Sequence, residues 1–162
     1  MHLRLATRDD ADPIREIYNL EVTTSTVTFD LVPRSLDDQQ AWLAARSGAH
    51  AVLVVEIDGA VAGFGSLSPW RDRPAYSTTV EDSIYVHRDH QGKGVGKALL
   101  SELVRTATAH GFHACMARIV GGHDASIALH RSCGFEVVGT EREVGRKFNK
   151  WLDVVLMERM LT

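Results

Sequence analysis

The hydrophobic positions change period along the chain, and the changes mark out its elements. Leu3 to Ala6 is a short candidate strand, and Thr7 with Asp10 forms a capping-box-like helix start with Pro13 in the first turn. Ile14, Ile17 and Tyr18 then fall at helical spacing, and the Thr-rich segment Glu21 to Arg34, with Phe29 and Pro33, reads as a long loop. Ser35 with Asp38 opens a second helix carrying Trp42 and Leu43, whose apolar face is weak. Ala51 to Ile57 is an apolar run of strand length, broken only by Glu56, Asp58-Gly59 is a hairpin turn signal, and Ala60 to Leu67 returns as the partner. A loop with two prolines and two arginines, "SPWRDRPAY", leads into the β-branched stretch Thr78 to Val86.

From Gly94 to about Ala109, Val95, Leu99, Leu103 and Ala107 recur every fourth residue, so that a helix face runs to a stop at Gly111. Ala114 to Val120 reads as a strand. Asp124 or Ser126 caps a further helix through Ile127, Leu129 and His130, closing at Gly134. Phe135 to Thr140 and Trp151 to Met157 are the last strands, joined by a polar connection containing Gly145. The order is β-α-α-β-β-β-α-β-α-β-β. Hairpin signals early and one β-α-β crossover late predict an α/β (α+β) architecture with a mixed sheet and helices on its faces.

Bulk composition narrows the function classes. The 162 residues suffice for one domain, expected to span 1–162, and 44% hydrophobic with 24% charged residues is an ordinary globular balance. The formal net charge of −3 offers no basic field for nucleic acid or an anionic membrane. Cys115 and Cys133 stand in no metal or redox spacing, and the charged start MHLRLATRDDADP lacks the apolar run of a signal peptide. A reduced, cytoplasmic protein without membrane or nucleic-acid partners is expected.

The stretch "HQGKGVGKAL", His90 to Leu99, sits at a strand-to-helix junction. A P-loop is excluded because only three residues separate Gly92 from Gly96 and Ala98 stands where a magnesium-binding hydroxyl belongs. A dinucleotide fingerprint is excluded because Lys97 occupies the place of its last glycine. The helix start still favours an anion: exposed N–H groups converge there, the helix dipole assists, and glycines allow close approach.

Gln91, Gly94 and Gly96 match the Gln/Arg-x-x-Gly-x-Gly/Ala loop of the GNAT superfamily of N-acetyltransferases, and the element order and "SIALHRSCGF" resemble that family as well. "PWRDRPAYSTTVEDSIYVHRDHQGKGVG", "TSTVTFDLVPRS" and "REIYNLEV" resemble its phosphinothricin and methionine sulfoximine acetyltransferase group, from about Leu3 to Met157. The resemblance implies a mostly antiparallel sheet of six to seven strands and acetyl-CoA as cosubstrate. It further implies direct attack on the thioester by the α-amine of a small amino-acid analogue.

What the resemblance implies for individual residues follows from those motifs. Gln91, Gly92, Lys93, Gly94, Val95, Gly96 and Lys97 would cradle the pyrophosphate, with the lysines adding charge. Backbone groups of Ile84, Tyr85 and Val86 would pair with the pantetheine arm, and His123 and Ser126 would meet it at the next helix start. His123 stands where many relatives carry Asn. Strand alternation puts Glu81 and Asp82 on opposite faces, so pattern alone chooses neither as general base; the resemblance selects Glu81. Glu81 lies roughly 16 Å of strand before Val86, comparable to an extended pantetheine arm. His130 takes the place of the tyrosine that many family members use to protonate the leaving thiolate.

On the substrate side, Phe29, Arg71, Asp72, Arg73, Tyr76, Glu81, Asp82 and Ser83 are expected, with the arginines suited to a carboxylate. No metal is expected, since His87 and His90 lack an evident third ligand. Relatives commonly form homodimers. Two alternatives stay open, acetylation of another amine such as a protein N-terminus and a non-catalytic acyl-CoA sensor; a sensor has no use for a base at Glu81.

Overall fold

The computed structural model describes residues 1–162. In chain order its elements are β1 (His2–Leu5), α1 (Ala11–Thr24), α2 (Leu36–Ala44), β2 (Val52–Ile57), β3 (Ala60–Pro69), β4 (Thr79–Val86), α3 (Val95–Ala109), β5 (Ala114–Val120), α4 (Asp124–Ser132), β6 (Glu136–Lys147) and β7 (Lys150–Met160). All seven strands join one sheet in the order β1-β2-β3-β4-β5-β7-β6. Every neighbouring pair is antiparallel except β4 and β5, which the α3 crossover makes parallel. The sequence order and the mixed sheet are both met.

Two hydrophobic clusters cover the two faces. Leu99, Leu100, Leu103 and Ala107 of α3 pack on Leu53, Val55, Leu67, Val80, Cys115 and Met157. Ile14, Ile17, Tyr18 and Val22 of α1 pack on Val52, Val54 and Phe64. The apolar run Val52–Val55 of β2 follows from this: alternate residues serve opposite faces, and both faces are buried there. Helix α3 lies close to β3 because Gly63 and Gly65 carry no Cβ; one added there would stand 2.9 Å from Val95 Cγ1 and from Leu103 Cδ1 respectively.

The parallel pair positions the site. β4 and β5 are paired only at Thr79–Ala114, Val80–Cys115 and Glu81–Met116. Beyond that register the strands part, while β4 stays paired with β3 and β5 with β7. The β4 edge from Asp82 to Val86 therefore faces β5 without a partner strand.

Three boundaries differ from the sequence reading. α1 continues through Glu21 to Thr24, because Thr23 Oγ1 donates to the Asn19 carbonyl and tertiary ion pairing holds Glu21 in place of the expected loop. The N-cap position of α4 is His123, which makes no side-chain capping bond, in place of Asp124 or Ser126. The expected polar connection around Gly145 is strand: β6 runs to Lys147 and turns back through Phe148 and Asn149, both with positive φ (51° and 60°). β6 is an edge strand with mostly exposed, polar residues and register shifts between Val137 and Gly139 and between Glu141 and Gly145, so no alternation marks it. No helix is long and apolar enough to cross a membrane.

Candidate active site

A cavity of about 450 Å³ opens where β4 and β5 part. Its walls are Asp82 to Val86 of β4, Ala117 to Val120 of β5, the start of α3 and residues of α4. A larger cleft of about 1020 Å³ lies elsewhere, between β1, α2 and the end of α3. The smaller cavity is the one lined by the glycine-loop start of α3, the unpartnered β4 edge and the Asp82–His130 pair.

The glycine loop forms one end. Gly94 has φ 82° and caps α3 with no side-chain bond, a conformation that strains residues bearing a Cβ. The first bond into the helix is Ala98 N–H to the Gly94 carbonyl, 3.1 Å, which leaves the N–H groups of Val95, Gly96 and Lys97 for an acceptor from outside. A Cβ on Gly96 would stand 3.1 Å from Leu129 Cδ2, so the absent side chain keeps the passage between α3 and α4 open. These donors and this free space fit a pyrophosphate, and the unpartnered β4 edge fits an extended arm with amides. Gln91, Gly92, Gly94, Val95, Gly96 and Lys97 all wall the cavity, as do Ile84, Tyr85, Val86, His123 and Ser126. Lys93 is not among its walls and lies 3.5 Å from His90 Nδ1. The Tyr85 ring itself turns to the α1 face, stacked on Phe64 and edge-on to Tyr18, so Tyr85 meets the cavity through its backbone.

The two adjacent carboxylates take different partners, as alternation requires. Glu81 is gripped at both oxygens by Arg118, whose Nε and Nη2 each donate at 2.9 Å. Burial pushes the Glu81 carboxyl above its ordinary range, and the Arg118 bonds offset this only in part. Asp82 accepts from His130 Nε2 at 2.9 Å, while His130 Nδ1 lies 2.8 Å from the Ser126 carbonyl. A carbonyl can only accept, so Nδ1 carries a proton, and Nε2 carries or shares one with Asp82. Burial alone lowers the His130 pKa, but its bonds to Asp82 and Ser126 outweigh burial and raise it, so the imidazolium is favoured. Asp82 Oδ1 is buried without a hydrogen-bond partner.

The remaining substrate-side residues are spread more widely. Asp82 and Ser83 wall the cavity; Phe29, Arg71, Asp72, Arg73, Tyr76 and Glu81 do not. Arg71 stacks over Trp70 and Tyr76, with its guanidinium 4.9 and 5.5 Å from the ring centres. Phe29 lies against Gly145, where any Cβ would collide with the ring, and buried Lys147 Nζ donates to the Thr28 carbonyl at 2.8 Å, tying this loop to β6.

Sequence reasoning passed over Glu21 and Arg118, which both wall the cavity. Each had a signal. Glu21 interrupts the apolar stripe of α1, and Arg118 is a lone charge in an otherwise apolar strand. Burial raises the Glu21 carboxyl, but bonds from Arg88 and Ser25 outweigh it and hold the group below its usual range. Burial lowers the His123 imidazole, with Glu21 opposing.

A profile of the acetyltransferase (GNAT) family matches residues 14–135. An L-amino acid N-acyltransferase of Escherichia coli (strain K12) is 41% identical, the match covering 99% of this chain and 94% of that protein. An L-methionine sulfoximine/L-methionine sulfone acetyltransferase of Salmonella typhimurium is 40% identical, covering 99% and 95%. A crystal structure of a GNAT superfamily phosphinothricin acetyltransferase from Sinorhizobium meliloti in complex with AcCoA superposes with a TM-score of 0.94 at 41% identity, covering 98% of this chain and 87% of that one.

Proposed function

The chain belongs to the GNAT family and is an N-acetyltransferase, and from that premise we propose that it transfers acetyl from acetyl-CoA to the α-amine of a small amino-acid analogue. Methionine sulfoximine, methionine sulfone and phosphinothricin define the substrate class by the names of its relatives. The observation that carries the reading is the position of Glu81, a carboxylate only 12% exposed at the last β4 residue paired with β5, where the cavity fork begins.

Acetyl-CoA supplies an activated acyl group as a thioester. The N–H groups of Val95, Gly96 and Lys97 hold its pyrophosphate, and the free β4 edge from Asp82 to Val86 aligns the arm toward the fork. Glu81 takes the proton from the substrate ammonium, directly or through water, since an α-amine is largely protonated at neutral pH. Burial raises its pKa and so makes it a stronger base than an exposed carboxylate. The amine nitrogen bonds to the acetyl carbon, the carbon–sulfur bond breaks, and the excess proton on the nitrogen passes through water to the thiolate; His130, whose ring nitrogens are held by Asp82 and the Ser126 carbonyl, serves as the acid in this relay only by releasing its Nε2 proton from Asp82. Arg71 and Arg73, neither engaged by a carboxylate of the protein, close on the substrate carboxylate.

The working unit on this reading is a homodimer. β6 is the edge strand, unpaired on its outer side, and β6, the turn after it and the start of β7 expose Val137, Val138, Val144, Phe148 and Trp151, apolar surface for a second copy to cover. Sedimentation velocity checks the stoichiometry.

Thiol release from acetyl-CoA over a panel of methionine sulfoximine, methionine sulfone, phosphinothricin and an alanine-terminated peptide tests the function. Turnover of the amino-acid analogues is expected. Turnover of the peptide alone moves the activity to protein N-termini, and tight acetyl-CoA binding without any turnover makes the protein a sensor.

A further inference from the structure

Six of the seven residues of β5 are buried, and Arg118 is the exception, its side chain 55% exposed. It stands two residues beyond Met116, the last β5 residue paired with β4, and so shares a face with Met116 at the mouth of the fork. The inner edge of its guanidinium, Nε and Nη2, is spent on Glu81. Nη1 makes no hydrogen bond within the protein, so the outer edge remains free, and Arg118 walls the cavity. Its guanidinium carbon lies 5.6 Å from the Trp70 ring centre, the ring that also carries Arg71, so the β5 cation and the arginine loop meet at one aromatic.

A free α-amino acid carries an ammonium and a carboxylate on the same carbon. The Glu81–Arg118 pair presents the opposite charges side by side: a carboxylate for the ammonium and an open guanidinium edge for the carboxylate. We propose that Arg118 is a positioning and specificity-determining residue, which receives the substrate's α-carboxylate on its outer edge while its inner edge aims Glu81 at the α-amine. The proposal rests on the acetyltransferase reading above and goes beyond it. It makes a free α-carboxylate a requirement, met at β5 as well as at the arginine loop. An amine without that group, such as a peptide N-terminus, leaves the guanidinium edge unmatched. A second consequence concerns the base, because Arg118 is the cation that opposes the effect of burial on Glu81.

Steady-state kinetics of Arg118→Ala and Arg118→Lys with methionine sulfone and with its carboxamide test this. The alanine variant is expected to raise KM for the acid about 10-fold or more, as loss of a charged hydrogen bond does, with KM for the amide nearly unchanged. Its acid limb of kcat/KM moves to higher pH, since Glu81 loses the charge that favours its ionised form. Lysine keeps the charge but not the fork, so it restores the acid limb and leaves KM for the acid raised. It also keeps the question answerable if the alanine variant fails to fold. Equal loss on acid and amide, or an unmoved acid limb, overturns the role of Arg118 while leaving the acetyltransferase intact. A wild-type protein that turns over neither compound overturns the underlying function, and this role with it.

Discussion

Glu81 and Asp82 are neighbours in the chain with opposite assignments. A two-residue period sends one toward Arg118 and the other toward His130. Glu81→Gln is expected to lower kcat about 10²-fold or more, the usual worth of a general base, while its thermal melt stays close to wild type. A wild-type kcat that is flat from about pH 6 to 9 counts against a titrating base. The His130–Asp82 pair makes a separate prediction. The folded-state pKa of His130 is raised above its reference value of 6.5, so the stabilisation is complete below that pH and is lost as pH rises through the folded value. The melting-temperature gap between wild type and His130→Gln should therefore be widest below about pH 6.5 and narrow at higher pH. A gap independent of pH means that the ring contributes packing only.

At the scale of elements, α3 was legible from end to end, because its four-residue recurrence coincides with a face that meets the sheet. Its glycine start was equally plain, and counting spacings separated it from other phosphate loops. Gly96→Val should push Leu129 aside and narrow the passage between α3 and α4. Isothermal titration is expected to show acetyl-CoA binding weakened about 10-fold or more, at little cost in stability, since valine lowers helix propensity less than glycine does. Undiminished binding would remove Gly96 from the passage. β6 shows the opposite case. Its partner β7 supplies the hydrogen bonds, and its exposed side chains carry no alternation, so strand and polar connection look alike in the sequence. The end of α1 was hidden for a related reason: its threonines favour loops, and ion pairing between Glu21 and Arg88, 67 residues apart, holds the last turn.

For the whole molecule, one sheet separates two apolar clusters, and β2 and β3 contribute to both. That sharing predicts one cooperative unfolding transition, with fluorescence and circular dichroism coincident. Leu103→Ala, at a fully buried α3 position against Gly65, should cost about 3 kcal/mol in urea denaturation. Two separated transitions would mean that the clusters fold independently.

The sequence by itself determined the order of elements and the place of the glycine loop, because both are written in local spacing: period 3.6, period 2, and Gly-x-Gly at a helix start; the chemistry it suggested came from resemblance to the acetyltransferase family. Only the tertiary structure decided that β4 and β5 part after Glu81 and Met116, and that Arg118 reaches across to Glu81 over 37 residues of chain. It alone joined Asp82 to His130, and Glu21 to the cavity wall. Strand divergence and long-range ion pairing depend on how distant segments pack, and no spacing within a single segment encodes them.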